Sequence, residues 1–124
     1  MVYDLGRRYS ERFNVGEHIV SPYLRARGYH HIDKVIVSHS DSDHAGGLSG
    51  LLAHISVSEL LLGQVDKTLS ITDTFHSPSL FPVIKQCVAG QRWQWDGVTF
   101  EMLWPSVALV DATEENNNLS LIHI

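Results

Sequence analysis

The stretch Lys34-Val35-Ile36-Val37-Ser38-His39-Ser40-Asp41-Ser42-Asp43-His44-Ala45-Gly46-Gly47 decides how this chain folds and what chemistry it offers. Val35 to Val37 read as a short strand buried on both faces, the pattern expected beside a parallel neighbour. The strand runs straight into His39, Asp41, Asp43 and His44, four metal-competent side chains within six residues. Small serines separate the first three. Gly46 and Gly47 let the backbone turn away and approach a ligand closely. Histidine nitrogen together with carboxylate oxygen suits Zn²⁺, Mn²⁺ or Fe. His39 and Asp41 alternate at the strand end and reach one ion, whereas Asp43 and His44, on the turn into a helix, reach a second. Two ions ~3.5–4 Å apart clamp the attacking and leaving oxygens of a phosphoryl transfer and bring the pKa of bound water toward ~7. Metal-dependent hydrolysis is therefore the leading expectation. The competing reading of the same residues is an Asp/Ser-rich helix N-cap with two solvated histidines.

Upstream of this stretch, Val2-Tyr3-Asp4 reads as the end of a strand, Leu5-Gly6 turns out of it, and residues 7–15 read as an irregular polar loop. The spacing of Ile19, Val20, Tyr23 and Leu24 predicts a helix over 16–27, with Pro22 near its first turn and Gly28 at C′. Downstream, Leu48, Leu51 and Leu52 predict a second helix from about Gly46 to His54. Glu59 to Leu62 reads as a strand, residues 64–80 as a Ser/Thr-rich loop, and Leu80 to Val88 as a helix or an irregular apolar segment. Trp93-Gln94-Trp95 and Val98-Thr99-Phe100-Glu101-Met102 alternate around Asp96-Gly97, the strongest hairpin signal in the chain. Ala112 to Asn118 reads as a polar loop, and Leu119 to Ile124 as the start of a further strand. The fold class is α/β. Because strands open and close the sequence, residues 1–124 are expected to be part of a larger domain cut at both ends.

Composition narrows the alternatives. With 124 residues and 44% hydrophobic content, the chain is sized for one globular domain or part of one. It has no apolar run of the ~18 residues that a membrane span needs, and no signal peptide at Met1, so the chain itself is expected to be soluble. The lone Cys87 rules out an internal disulfide and suits a small buried hydrophobe. A formal net charge of −5 gives no overall basic footprint for nucleic acid. The charge is unevenly spread: residues 1–34 hold six basic against four acidic groups, the remainder three against ten. Two divalent ions would offset four of the five negative charges.

His39-Ser40-Asp41-Ser42-Asp43-His44-Ala45-Gly46-Gly47 resembles the metal-binding signature of the metallo-β-lactamase superfamily. More narrowly, it is similar to the soluble domain of ComEC-type DNA-internalisation competence proteins. The likeness continues in Val2-Tyr3-Asp4-Leu5-Gly6, in Val20 to Gly28, in Ala89 to Phe100 and in Asn116-Asn117-Asn118-Leu119-Ser120-Leu121. It implies a partial αβ/βα sandwich, the N-terminal half of the domain, with a dinuclear site of zinc or manganese. His39 and Asp41 would serve the first metal, Asp43 and His44 the second, and Asp43 or a bridging water would orient or supply the nucleophile. The implied partners are DNA and a membrane-channel domain of the same parent chain in the bacterial plasma membrane. The superfamily usually carries histidine where this chain has Asp41, the form the competence branch resembles. A bridging aspartate and further histidines belong to the second half of the family fold, so the chain alone is expected to be inactive. Two other readings stand beside this one: a thioester or lactone hydrolase on the same fold, and a non-catalytic scaffold half.

Other residues carry plainer expectations. Asp4 suits a turn former, whereas the family resemblance implies an acidic residue there near the site. Arg7 and Arg8 suit phosphate contacts or a solvated loop. Trp93 and Trp95 suit base stacking or, given their alternation, a packed sheet face. His30 and His31 read as surface residues of a connecting loop, and His54 as a favourable cation at a helix C-terminus. His76 is a weak ligand candidate, and His123 lies too near the end of the sequence to be assigned.

Overall fold

The structure, a computed structural model, describes residues 1–71, 82–106 and 122–123. The apolar run that opens the key stretch is the inner half of a longer strand. Strands β1 (Val2–Tyr3), β4 (His31–Val37), β5 (Ser56–Leu62) and β6 (Val83–Gln86) form one all-parallel sheet in the order β1-β4-β5-β6. Val35 lies between Val2 and Leu60, and Leu60 pairs in turn with Ile84. Alternation then sorts the side chains onto two faces. Val35, Val37, Leu60 and Leu62 face one core with Leu48, Leu51 and Leu5, while Ile36 and Leu61 face a second with Cys87, Met102 and Trp93.

The outer halves of β4 and β5 correct the sequence reading, which began these strands at Val35 and Glu59. Both strands are seven residues long, and His31, read as a loop residue, opens β4. His31-Ile32-Asp33-Lys34 and Ser56-Val57-Ser58-Glu59 bury one face only, so charge and polarity hid them. Strand β6 settles the ambiguous apolar segment as an edge strand. The polar stretch after it differs as well: α4 (Val65–Ile71) occupies part of the span read as loop. Val65 and Leu69 pack on the first core with a fully buried Thr68 between them, a helical face disguised by its threonine.

Residues 7–15, also read as irregular, make a small antiparallel hairpin of β2 (Arg8–Ser10) and β3 (Phe13–Asn14). A π-helical turn, Gly16–Val20, then runs into α1 (Ser21–Ala26), with Pro22 in its first turn and Gly28 at φ +82° just beyond it. The second expected helix is two short ones, α2 (Ser42–Ala45) and α3 (Leu48–Leu52), so its first turn begins earlier than read. Strands β7 (Arg92–Trp95) and β8 (Val98–Met102) form the expected hairpin, with β9 (Ile122–His123) pairing alongside β8. Asp96 and Gly97 both hold positive φ at its turn. His76 and residues 112–118 lie outside the described residues. Among the described residues no helix is long and apolar enough to cross a membrane.

The Gly46-Gly47 pair works by close approach rather than by unusual torsion. Both residues sit in the ordinary right-handed region, at φ −60° and −89°. A Cβ on Gly47 would lie 2.3 Å from the Leu5 carbonyl oxygen and 2.6 Å from the Gly16 amide nitrogen. Because all the obstructing atoms are backbone, Gly47→Ala is expected to lower stability by about 1–3 kcal/mol or more. A denaturant titration comparing its midpoint with that of the parent chain checks this.

On the second face, Glu59 bridges the half-buried Lys34 and the exposed Lys85, with the Lys34 ammonium 4.7 Å above the Trp93 ring. Burial alone would raise the Glu59 pKa, but hydrogen bonds and charge from the two lysines outweigh it and hold the carboxyl below its ordinary value of 4.5. A depressed folded pKa contributes stability that is complete above the unfolded value and is lost as pH falls through the folded one. Glu59→Gln should therefore lower the thermal midpoint at neutral pH, and the gap should close as the buffer is taken into acid, from the ordinary value of 4.5 down through the depressed folded one. A gap that stays constant into acid would contradict the assignment.

Candidate metal centre

In a parallel sheet every strand delivers its carboxyl end to the same edge, and ligand sites form there. At this edge β1 ends in Asp4, β4 in Ser38 and His39, and β5 in Gly63-Gln64. Helix α2 then returns Asp43 and His44 over them. Two backbone hydrogen bonds clamp the turn onto the chain leaving β1: the Leu5 amide donates to the His44 carbonyl at 2.8 Å, and the Gly47 amide to that of Gly6 at 3.1 Å.

Asp4 organises the site. Its φ of +51° turns the chain out of β1 and aims the carboxylate inward. Oδ1 accepts the Ser38 amide N–H at 2.8 Å, while Oδ2 accepts the Ser38 hydroxyl at 2.9 Å and faces His44 Nδ1 at 2.8 Å. Ser38 Oγ also lies 2.9 Å from His39 Nδ1. The network has one consistent direction. An ionised carboxylate only accepts, so Ser38 spends its single proton on Asp4 and its oxygen is left to accept from His39 Nδ1–H, while His44 Nδ1–H donates to Asp4. These tautomers are assigned from the hydrogen bonds. Both imidazoles thereby present a bare Nε2 lone pair on the other side.

The carboxylates of the motif lie on that other side. His39 Nε2 is 3.4 Å from Asp41 Oδ2, and His44 Nε2 is 3.5 Å from Asp43 Oδ2. The two rings are 3.9 Å apart, centroid to centroid. His39, Asp43 and His44 each bring one ligand atom to within 4.8 Å of the others. His39 is buried, His44 half-buried and Asp43 exposed, so the cluster opens to solvent on its carboxylate side. Such a convergence of acceptors, with their donors spent inward, is the donor set a hard or borderline divalent cation requires. The residues present therefore fit a divalent ion.

The N-cap alternative required Asp41 to cap α2. Asp41 does occupy the N-cap position, at φ −62° and ψ 146°, but its side chain makes no capping hydrogen bond and turns to His39 instead. Its backbone carbonyl alone receives the His44 and Ala45 amides.

Sequence reading left the Asp4 role open and passed over Ser38 and Gln64. Gln64 is buried, and its Oε1 accepts both the amide (3.0 Å) and the hydroxyl (2.7 Å) of Ser40, pinning the residue between His39 and Asp41. Nothing local in the sequence marks it, because its partner lies 24 positions away on another strand end. Trp93 stacks on Phe100 against the second core, so the packed-face expectation holds for it. His30 is exposed, and His54 points to Glu17.

This constellation sits at the carboxyl edge of a parallel sheet in an α/β domain. The chain belongs to the metallo-beta-lactamase superfamily, whose profile matches residues 4–109. Its fold is accordingly a partial metallo-β-lactamase-like one, and membership implies divalent-metal binding, for which the His39–Asp43–His44 cluster is the candidate site. The chain is 38% identical over 87 residues to Competence protein ComA of Neisseria gonorrhoeae, covering 70% of this chain and 10% of that protein. It is 29% identical to Recombination protein 2 of Haemophilus influenzae over 122 residues, and 29% to the uncharacterized protein YcaI of Escherichia coli over 124. Each of these two alignments covers 98% of this chain and 14% of the relative. The chain thus spans only a small part of the curated relatives it matches. No solved structure matches it.

Asp4→Asn isolates the inward network. Asparagine tolerates positive φ and keeps the shape, but an amide NH₂ facing His44 Nδ1 would push the ring proton to Nε2, where a ligand lone pair is needed. Calorimetric titration with Zn²⁺ or Mn²⁺ is expected to show affinity reduced about 10–100-fold with the thermal midpoint little changed.

Proposed function

We propose that residues 1–124 form part of a metallo-β-lactamase-like domain in a DNA-uptake protein of the bacterial plasma membrane, where the whole domain hydrolyses phosphodiesters of DNA beside a membrane-channel domain. His39, Asp41, Asp43 and His44 would hold two divalent ions, zinc or manganese. The observation that carries the reading is the convergence of ligand atoms of His39, Asp43 and His44 within 4.8 Å of one another, with Asp41 beside His39 and both Nδ1 atoms tied inward through Ser38 and Asp4. The name of the Neisseria gonorrhoeae relative, Competence protein ComA, supplies the DNA-uptake context.

A bound divalent pair supplies Lewis acidity and a water acidic enough to attack at neutral pH. This chain's own residues do the rest. Asp4 and Ser38 hold both rings in the ligating tautomer, and Gln64 fixes the Ser40 backbone so that Asp41 stays beside His39. Asp43, the exposed member of the cluster, orients the attacking water and accepts its proton. Four protein donors fill only about half of two tetrahedral shells. The remaining donors come from outside the described residues, from solvent or from substrate.

In the intact protein, Mn²⁺- or Zn²⁺-dependent cleavage of single-stranded DNA should vanish in His39→Ala and His44→Ala. It should fall about 10²–10⁴-fold in Asp43→Asn, which keeps the shape and loses the base. Metal-dependent turnover of thioesters or lactones, with none of DNA, would replace the nuclease reading by an ester hydrolase on the same site.

A further inference from the structure

The hairpin β2–β3 carries an array that neither core uses. Tyr9 is 66% and Phe13 39% exposed, and neither joins either apolar cluster. Their ring centroids are 5.9 Å apart, and Phe13 stacks in turn on His18 at 4.6 Å. The Arg7 guanidinium sits 6.0 Å from the Tyr9 ring centroid. Arg8 and Arg12 are exposed on the same hairpin, and among the described residues no ion pair engages Arg7, Arg8 or Arg12. With Glu11 the only acid between them, residues 7–13 carry three basic groups against one acidic, in a chain of net charge −5.

Large rings left in water, interleaved with guanidinium groups that no carboxylate engages among the described residues, offer an incoming ligand two kinds of contact. The chemistry that fits both is a phosphate backbone with unstacked bases: guanidinium forks take the phosphates and the rings take base faces. Position adds a second argument. Ser42 Oγ donates to the Arg8 carbonyl at 3.5 Å, and a Cβ on Gly46 would meet the Arg8 amide at 2.4 Å. The hairpin is therefore docked on α2, which carries Asp43 and His44. A strand lying on it passes directly beside the candidate metal cluster.

We infer that the Arg7–Phe13 hairpin is a platform for single-stranded nucleic acid, presenting it to the cluster of His39, Asp43 and His44. The inference rests on the hydrolase reading for its purpose, but its test does not depend on turnover. Binding of a fluorescein-labelled oligo(dT) single strand to the intact protein is followed by anisotropy in EDTA, where no cleavage occurs, across a salt series. Arg7→Gln, Arg8→Gln and Arg12→Gln together should reduce the slope of log K against log salt by about 2, since each phosphate contact to a single strand contributes about 0.7. Tyr9→Ala with Phe13→Ala should weaken the single strand about tenfold and leave a duplex of the same length unchanged, because paired bases offer no free face. Unaltered circular dichroism spectra confirm that the exposed substitutions leave the fold intact. Parent-like affinity and slope in both variants, equal losses for duplex and single strand in the ring variant, or no single-strand binding by the parent protein would each overturn the platform. Retained binding with no metal-dependent cleavage would sink the hydrolase reading and leave the platform standing.

Discussion

The carboxylate of Asp4 is the constraint on which the site depends. It accepts the Ser38 amide, the Ser38 hydroxyl and the His44 ring, and so joins positions 34 and 40 residues away in sequence to the end of β1. The segment from Ser38 to His44 contains no aliphatic side chain to bury, so packing cannot fix its conformation. Polar connections do so instead. Asp4 holds it from the β1 side and Gln64 from the β5 side. A buried acceptor with every partner in place rigidifies such a loop, whereas a half-satisfied one would cost more than an apolar contact. The Gly16–Gly47–Leu5 backbone approach makes the Asp4 connection geometrically available, since α2 reaches β1 only where no Cβ intervenes.

What the sequence made legible follows from whether a signal is local. Val35 to Val37, buried on both faces, is recognisable from three residues, and the Asp96-Gly97 turn from two. The metal-competent side chains are equally conspicuous, because four histidines and aspartates within six residues have few other uses. The outer halves of β4 and β5 were not, since Asp33 and Lys34 in one and Ser56 and Ser58 in the other look like loop residues until the neighbouring strand supplies their partners. Helix α4 was missed because its inward face includes a threonine. Asp4, Ser38 and Gln64 share a deeper reason: each matters only through strand order, and no periodicity encodes which strand ends will be neighbours.

Parallel pairing gives the site its polarity. All four strands of the main sheet point their carboxyl ends one way, so Asp4, the Ser38-His39 pair and Gln64 meet although they come from three separate strand ends. The apolar cores sit behind them, and Leu48 and Leu51, both fully buried, anchor the helix that follows the metal motif. Full burial of a leucine contributes about 1.5–3 kcal/mol. The glycine pair between α2 and α3 thus has a second consequence. It joins a short polar helix that carries chemistry to a short apolar helix that carries stability, with the close backbone contact at the joint.

Net charge is a poor guide to what this edge would attract. An uncompensated carboxylate ~4 Å from a phosphate disfavours it by about 4 kcal/mol near a protein surface and about 1 kcal/mol in bulk water. Asp41 and Asp43 face solvent with only imidazole lone pairs behind them, so a bare cluster repels a polyanion. Divalent charge placed there reverses the sign locally. The guanidinium groups of Arg7, Arg8 and Arg12 on the hairpin docked against α2 carry positive charge without any ion, and salt leaves such charges effective over only about 10 Å. Because the hairpin abuts α2, the acidic and basic groups meet an approaching chain over the same short range. The field at that edge, rather than the total of −5, decides whether a phosphate backbone settles there.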